Sequence, residues 1–247
     1  MVDVDVLKPG RDTGEDTEAI TGGFLQSILD IFIDPMKVFK RIGVGLTWWK
    51  PFVLSCVLAL VIAWLMMPFR RALLELNVAG MEEEELARAL EAYDRFGVIG
   101  MISVPFVLIL TMLIIAGIAH VVVALMSSNA RFKKTLSLIA YANLVPVLGQ
   151  LISVAVLRAR GVEGIESAAD IQMSFSLAAV FPESGGFLQA FLESLGVFQV
   201  WFYILLILGV AAIFKVSRTK AVFVAVPIWL LSLVVTYLMK SFGGGMG

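Results

Sequence analysis

The sequence is poor in the residues that carry chemistry. Its 247 residues hold one cysteine, Cys56, and one histidine, His120. A single cysteine cannot close an internal disulfide, so the redox compartment stays open. One cysteine and one histidine cannot build a metal site alone. The sequence also lacks His-Glu-x-x-His, Gly-x-Ser-x-Gly and Walker-type signatures. Charge is sparse, at 16% of residues, and nearly balanced at net −1, which favours neither nucleic acid nor an anionic surface. The first twenty residues contain no apolar segment, so the first apolar span is expected to serve as the targeting signal. We expect no cofactor, no metal ion, no nucleic-acid partner and no enzyme.

What is present is apolar. Hydrophobic residues make up 60% of the chain and the mean hydropathy is +0.94. Windows free of Asp, Glu, Lys and Arg cover 51–69, 96–130, 135–157, 194–214 and 221–239. A bilayer crossing takes about 20 residues at about 1.5 Å each, and backbone groups in lipid must bond internally, so these windows are helices. The expected fold is all-α: one polytopic membrane domain over 23–241 with spans near 51–69, 98–126, 135–157, 196–214 and 221–239. The second window is too long for a straight crossing and has no turn-forming cluster at its middle. It reads as one helix, bent near Pro105 and running past the bilayer. With no carboxylate inside any span, intramembrane aspartyl chemistry and the usual proton relay are excluded.

Between the spans, four glutamates opening at Glu82 predict an extramembrane helix near 81–96 that Gly97 can end. Its charges read as a solvated face, with a basic partner as the sharper alternative. Residues 1–22, acidic and without periodicity, and the tail 242–247 are expected to be disordered. Apolar residues at helical spacing predict short helices near 24–33 and 35–43, separated at Asp34-Pro35, and a third near 186–195. The second carries Lys37, Lys40 and Arg41 as its polar face. These helices suit the membrane interface, and packing on the end of the bundle is an equal reading. Ile171, Met173, Phe175 and Leu177 alternate with small or polar residues and predict an extended segment. Trp48 and Trp49 beside Lys50 mark the water–lipid boundary.

Orientation follows from the basic residues. Twelve lysines and arginines fall on the N-terminal side, including Lys37, Lys40, Arg41, Lys50, Arg131, Lys133, Lys134, Lys215, Arg218 and Lys220, against seven on the other. The positive-inside rule then places the N-terminus in the cytoplasm and the C-terminus outside, with the protein in the cell membrane. Within the spans, Asn143, Pro146, Gln150 and Ser153 fall on one helix face, and Ser137 and Tyr141 on another. Such groups either hydrogen-bond between helices or line a path for solutes or lipid headgroups. His120, flanked by Ala116, Gly117 and Ala124, is expected to donate a bond across a close helix contact, with proton handling as the alternative.

The segments "DPMKVFKRI", "HVVVALMSSNARFKKTLSLIAYANLVPVLGQL" and "VFQVWFYILLILGVAAIFKVSRTKA" carry a resemblance. Five spans, a cytoplasmic N-terminus, a His-containing span end, a short loop and a Tyr with Pro beyond it resemble the Yip family of five-span membrane proteins, specifically its prokaryotic branch. The resemblance covers residues 30–240 or so. It differs in having Ala140-Tyr141 where a Gly-Tyr pair is common, and in lacking the Asp-Leu-Tyr-Gly-Pro motif of eukaryotic members. The resemblance implies no catalytic residues, and without that motif it does not imply binding of Rab-type GTPases. It implies a non-enzymatic protein that organises membrane or holds partners, with membrane lipids, other membrane proteins or a second copy as candidates. A small permease using the Asn143–Gln150 face and a lipid-acting enzyme are the alternatives.

Overall fold

The structure, a computed structural model, describes residues 22–77, 83–163, 175–181 and 186–243. Expectations placed on 1–21, on Met81 and Glu82, on Ile171 and Met173, and on 244–247 lie outside the described residues. Among the described residues every regular element is a helix: α1 Phe24–Ile33, α2 Pro35–Val44, α3 Trp49–Asn77, α4 Glu83–Met126, α5 Phe132–Ala142, α6 Leu144–Arg160, a 3-10 turn Leu177–Ala179, α7 Gly186–Ser194, α8 Val197–Phe214 and α9 Arg218–Gly243. Five stretches are long and apolar enough to cross a membrane, namely α3, α4, α5 with α6, α8 and α9.

The helices end where their sequences dictate. Asp34 closes α1 and Pro35 opens α2, a position where a missing N–H costs nothing. Gly45, at φ 129°, closes α2 in a conformation that few side chains tolerate. One element differs from the sequence expectations. Helix α4 does not stop at Gly97; it runs unbroken for 44 residues and joins the charged segment to the span. A glycine costs a helix interior only about 1 kcal/mol, and the pairs Glu84–Arg88 and Glu91–Arg95, four residues apart, support the charged half. The third span keeps its expected course, as one stretch Phe132–Arg160. Its ladder lacks one bond, because Pro146 has no N–H to offer the carbonyl of Ala142, while Asn143 keeps helical dihedrals and accepts from Val147 N–H at 3.3 Å.

This span is the centre of the bundle. Helix α5 is buried from Thr135 to Ala142, and it packs against α3, α4 and α8. Helix α9 closes the ring by touching α4 and α8. Two glycines set the closest approaches. A Cβ at Gly149 on α6 would meet the Phe198 ring at 2.5 Å. A Cβ at Gly209 on α8 would collide with Leu138 of α5 and meet Phe39 of α2 at 3.0 Å. Small residues let backbones approach in just this way where lipid offers no hydrophobic drive.

Polar bonds tie α7, α8 and α9 together. Gln199 Nε2 donates to the Tyr203 hydroxyl at 3.0 Å, and that hydroxyl lies 2.9 Å from Ser232 Oγ on α9. Trp229 Nε1 donates to Ser194 Oγ at 3.1 Å. Removing the bridging hydroxyl with Tyr203→Phe is expected to cost about 0.6–2 kcal/mol, the usual value of an interhelical bond in a membrane. Equilibrium unfolding in mixed micelles reads this directly.

Candidate functional site

One end of the bundle gathers α1, α2, the α4–α5 loop and the α8–α9 loop. Helix α2 lies across this end against α5 and α8, and α1 folds back on α2. Ile31, Val38, Phe39 and Ile42 point into the core. On the opposite side Leu25, Leu29 and Ile33, 76%, 63% and 82% exposed, make a stripe along α1 with a spacing of four. Both helices pack on the end of the bundle, one of the two sequence readings, and α1 keeps an outward apolar edge.

Arg41 departs from the polar face expected of α2. Its side chain is 2% exposed and its Nη1 donates to Asp30 Oδ2 at 2.6 Å and to Ser27 Oγ at 3.0 Å. The turn at Asp34-Pro35 brings α1 over α2, which sets Asp30 and Ser27 above the guanidinium. Gly22 lies so close that any Cβ there would collide with the Arg41 guanidinium. The signal available in sequence was a lone carboxylate on the apolar helix α1, with Ser27 one turn before it.

The other cations stay at the surface of this end. Lys37, Lys40, Lys50, Arg131, Lys133, Lys215, Arg218 and Lys220 are exposed, and Lys134 is half-buried with Nζ donating to the Gly43 carbonyl at 2.7 Å. Ser127 Oγ donates to the Phe214 carbonyl at 3.2 Å and so ties the α4–α5 loop to the end of α8. The result is a cavity of about 550 Å³ between α2 and the two loops. Lys40, Arg131, Lys134 and Lys215 line it. Sequence reasoning read these residues singly and did not foresee that they meet.

The polar residues of the spans divide between two places. Pro146, Gln150 and Ser153 line a shallow groove of about 180 Å³ together with Glu193 and Gln199. Asn143, expected on the same face, sits half-buried between α5 and α6 and does not line the groove. Ser153 Oγ donates to the Gly149 carbonyl at 2.9 Å. Tyr141 is fully buried, and its hydroxyl has no hydrogen-bond partner among the described residues. His120 differs from expectation. Its ring stands edge-on to Phe132 at 5.5 Å, and among the described residues its Nδ1 has no hydrogen-bond partner. The close contact near it is made by Ala116 and Ala119, both fully buried. Gly117 faces open space and Ala124 is exposed.

No curated protein and no solved structure matches the chain. A family model does match, over residues 29–239, from the middle of α1 to near the end of α9. That region takes in most of the α1–α2 hairpin, the basic end and all five membrane-length helices, so the chain is a multi-pass membrane protein that belongs to the Yip1 domain family.

Proposed function

We propose that the protein is a non-enzymatic organiser of the membrane, with its basic end facing the cytoplasm and the α1–α2 hairpin seated in the headgroup region of that leaflet. The observation that carries this reading is the exposed stripe Leu25, Leu29 and Ile33 on a helix whose other face is locked to the bundle. A stripe of this kind at the level of Trp48, Trp49 and Lys50 favours the interface between headgroups and acyl chains. Each of these side chains gains about 1.5–3 kcal/mol by leaving water. Volume is thereby added to one leaflet and not to the other, which bends or thickens a bilayer locally. Exposed lysines and arginines concentrated at this end support the cytoplasmic orientation. The Yip1 family is not known as an enzyme family, in keeping with a structural role.

The test is reconstitution into liposomes of the wild type and of a Leu25→Ser, Leu29→Ser, Ile33→Ser variant. Both should insert, because all five spans remain. The wild type is expected to shift the vesicle size distribution seen by electron microscopy, and the variant is expected to lose most of that shift. Robust solute flux, with vesicle shape indifferent to all three substitutions, would sink the reading in favour of a permease.

A further inference from the structure

The positive-inside rule accounts for cations at the basic end, but not for their meeting in one cavity. Four cations, Lys40, Arg131, Lys134 and Lys215, line it, and no Asp or Glu does. They come from three segments far apart in the chain, held in place by the Ser127–Phe214 and Lys134–Gly43 bonds. Lys134 spends one N–H on Gly43, and an ammonium has three. Neither Arg131 nor Lys215 is paired with a carboxylate among the described residues. A second hollow shares Arg131 and Lys134 and adds Lys133. Like charges converging on one concavity repel each other, and low-dielectric walls focus their field onto whatever enters.

The backbone adds an independent observation. Lys215 has φ 55° and ψ 39° at the end of α8, a left-handed conformation in which glycine is the usual residue. Among the described residues it is the only residue other than glycine with positive φ. The side chain is thus kept at a backbone cost, at the rim of this cavity.

Apart from Asn129, the side chains of the other walls are apolar, Phe39, Val44 and Phe214 among them, and Val44 is 66% exposed. The site stands where α4 ends, α5 begins and α8 ends, which is the level of the headgroups for helices of this length. A cationic rim over an apolar wall at that depth matches a phosphate group attached to something greasy.

We propose that this cavity binds a phosphate-type anion through Lys40, Arg131, Lys134 and Lys215, with the headgroup of an anionic phospholipid as its occupant. Charge-assisted hydrogen bonds from the guanidinium and ammonium groups would hold the phosphate oxygens, and the acyl chains would run past Val44 into the bilayer. The proposal stands apart from membrane shaping, which uses the apolar edge of α1 on another face. Failure of one leaves the other intact.

The test is native mass spectrometry of the full chain in a neutral detergent. Phosphatidylglycerol and phosphatidylcholine are offered at equal concentration, and inorganic phosphate serves as soluble competitor. Wild type is expected to retain phosphatidylglycerol about tenfold better than phosphatidylcholine, an advantage consistent with two or more cations at a membrane surface. Lys215→Gly should fold at least as well as wild type, because glycine suits that backbone, yet retain severalfold less phosphatidylglycerol. Adding Arg131→Gln should remove most of the preference, and Lys215→Arg should keep it. Persistence of the bound lipid against millimolar phosphate supports the headgroup. Displacement by phosphate at that level assigns the site to soluble phosphate groups and overturns the lipid as occupant. Equal retention of the two lipids by wild type, or a preference untouched by both substitutions, overturns the proposal outright.

Discussion

Replacing Asp30 by alanine is expected to cost about 3–5 kcal/mol of folding stability, the usual loss when one partner of a buried ion pair is removed. Asp30 is 14% exposed and its partner Arg41 2% exposed, and the two lie 2.6 Å apart. Without the carboxylate, the buried guanidinium loses the acceptor 2.6 Å from Nη1 and keeps the neutral Ser27 hydroxyl. The double substitution Asp30→Leu, Arg41→Met should recover most of the loss, since neither charge is left alone. Equilibrium unfolding in mixed micelles measures both. A single Asp30→Ala variant as stable as wild type would show that the pair does not close the α1–α2 hairpin.

A second large loss is expected from Gly209→Leu, about 2–3 kcal/mol, the upper part of the range for overpacking. The added side chain must displace Leu138 and Phe39 together, both fully buried and drawn from two other helices. Gly209 is the point where α2, α5 and α8 meet, so the strain falls on the attachment of α2. Limited proteolysis around Asp34 should accelerate with the drop in melting temperature. Gly209→Ala with Phe39→Leu should be milder, because a smaller side chain replaces the ring whose Cε1 lies 3.0 Å from the new Cβ. Equal melting of Gly209→Leu and wild type would mean that α2 does not pack there.

These two losses bear on how much of the molecule its sequence displays. The number and order of the spans are legible, because length and hydropathy set them locally. So is the turn at Asp34-Pro35. The fate of Arg41 is not. On a helical wheel it sits with Lys37 and Lys40, and nothing local separates a buried cation from an exposed one. Its burial depends on a chain reversal that places Asp30 eleven residues away above it. The cavity cations are harder still. Each is readable as a membrane-surface residue, but Lys40 and Lys215 meet only after five helices have been assembled. The burial of α5 from Thr135 to Ala142 was not read from its sequence either, because small and hydroxyl residues suit a lipid-facing helix as well as a surrounded one. The bond missing at Ala142 was visible in principle, since Pro146 has no N–H, and such a proline softens a helix without dividing it.

The missing bond has a consequence for the central span. Pro146 frees the carbonyl of Ala142, while the bonds from Asn143 N–H to Ile139 and from Val147 N–H to Asn143 carry the backbone on. Helix α5 has 11 residues, about 17 Å of rise, so the freed carbonyl falls close to the midplane of a hydrocarbon core about 30 Å thick. A helix lacking one bond there is softest at its middle, where it can bend while both of its ends stay packed.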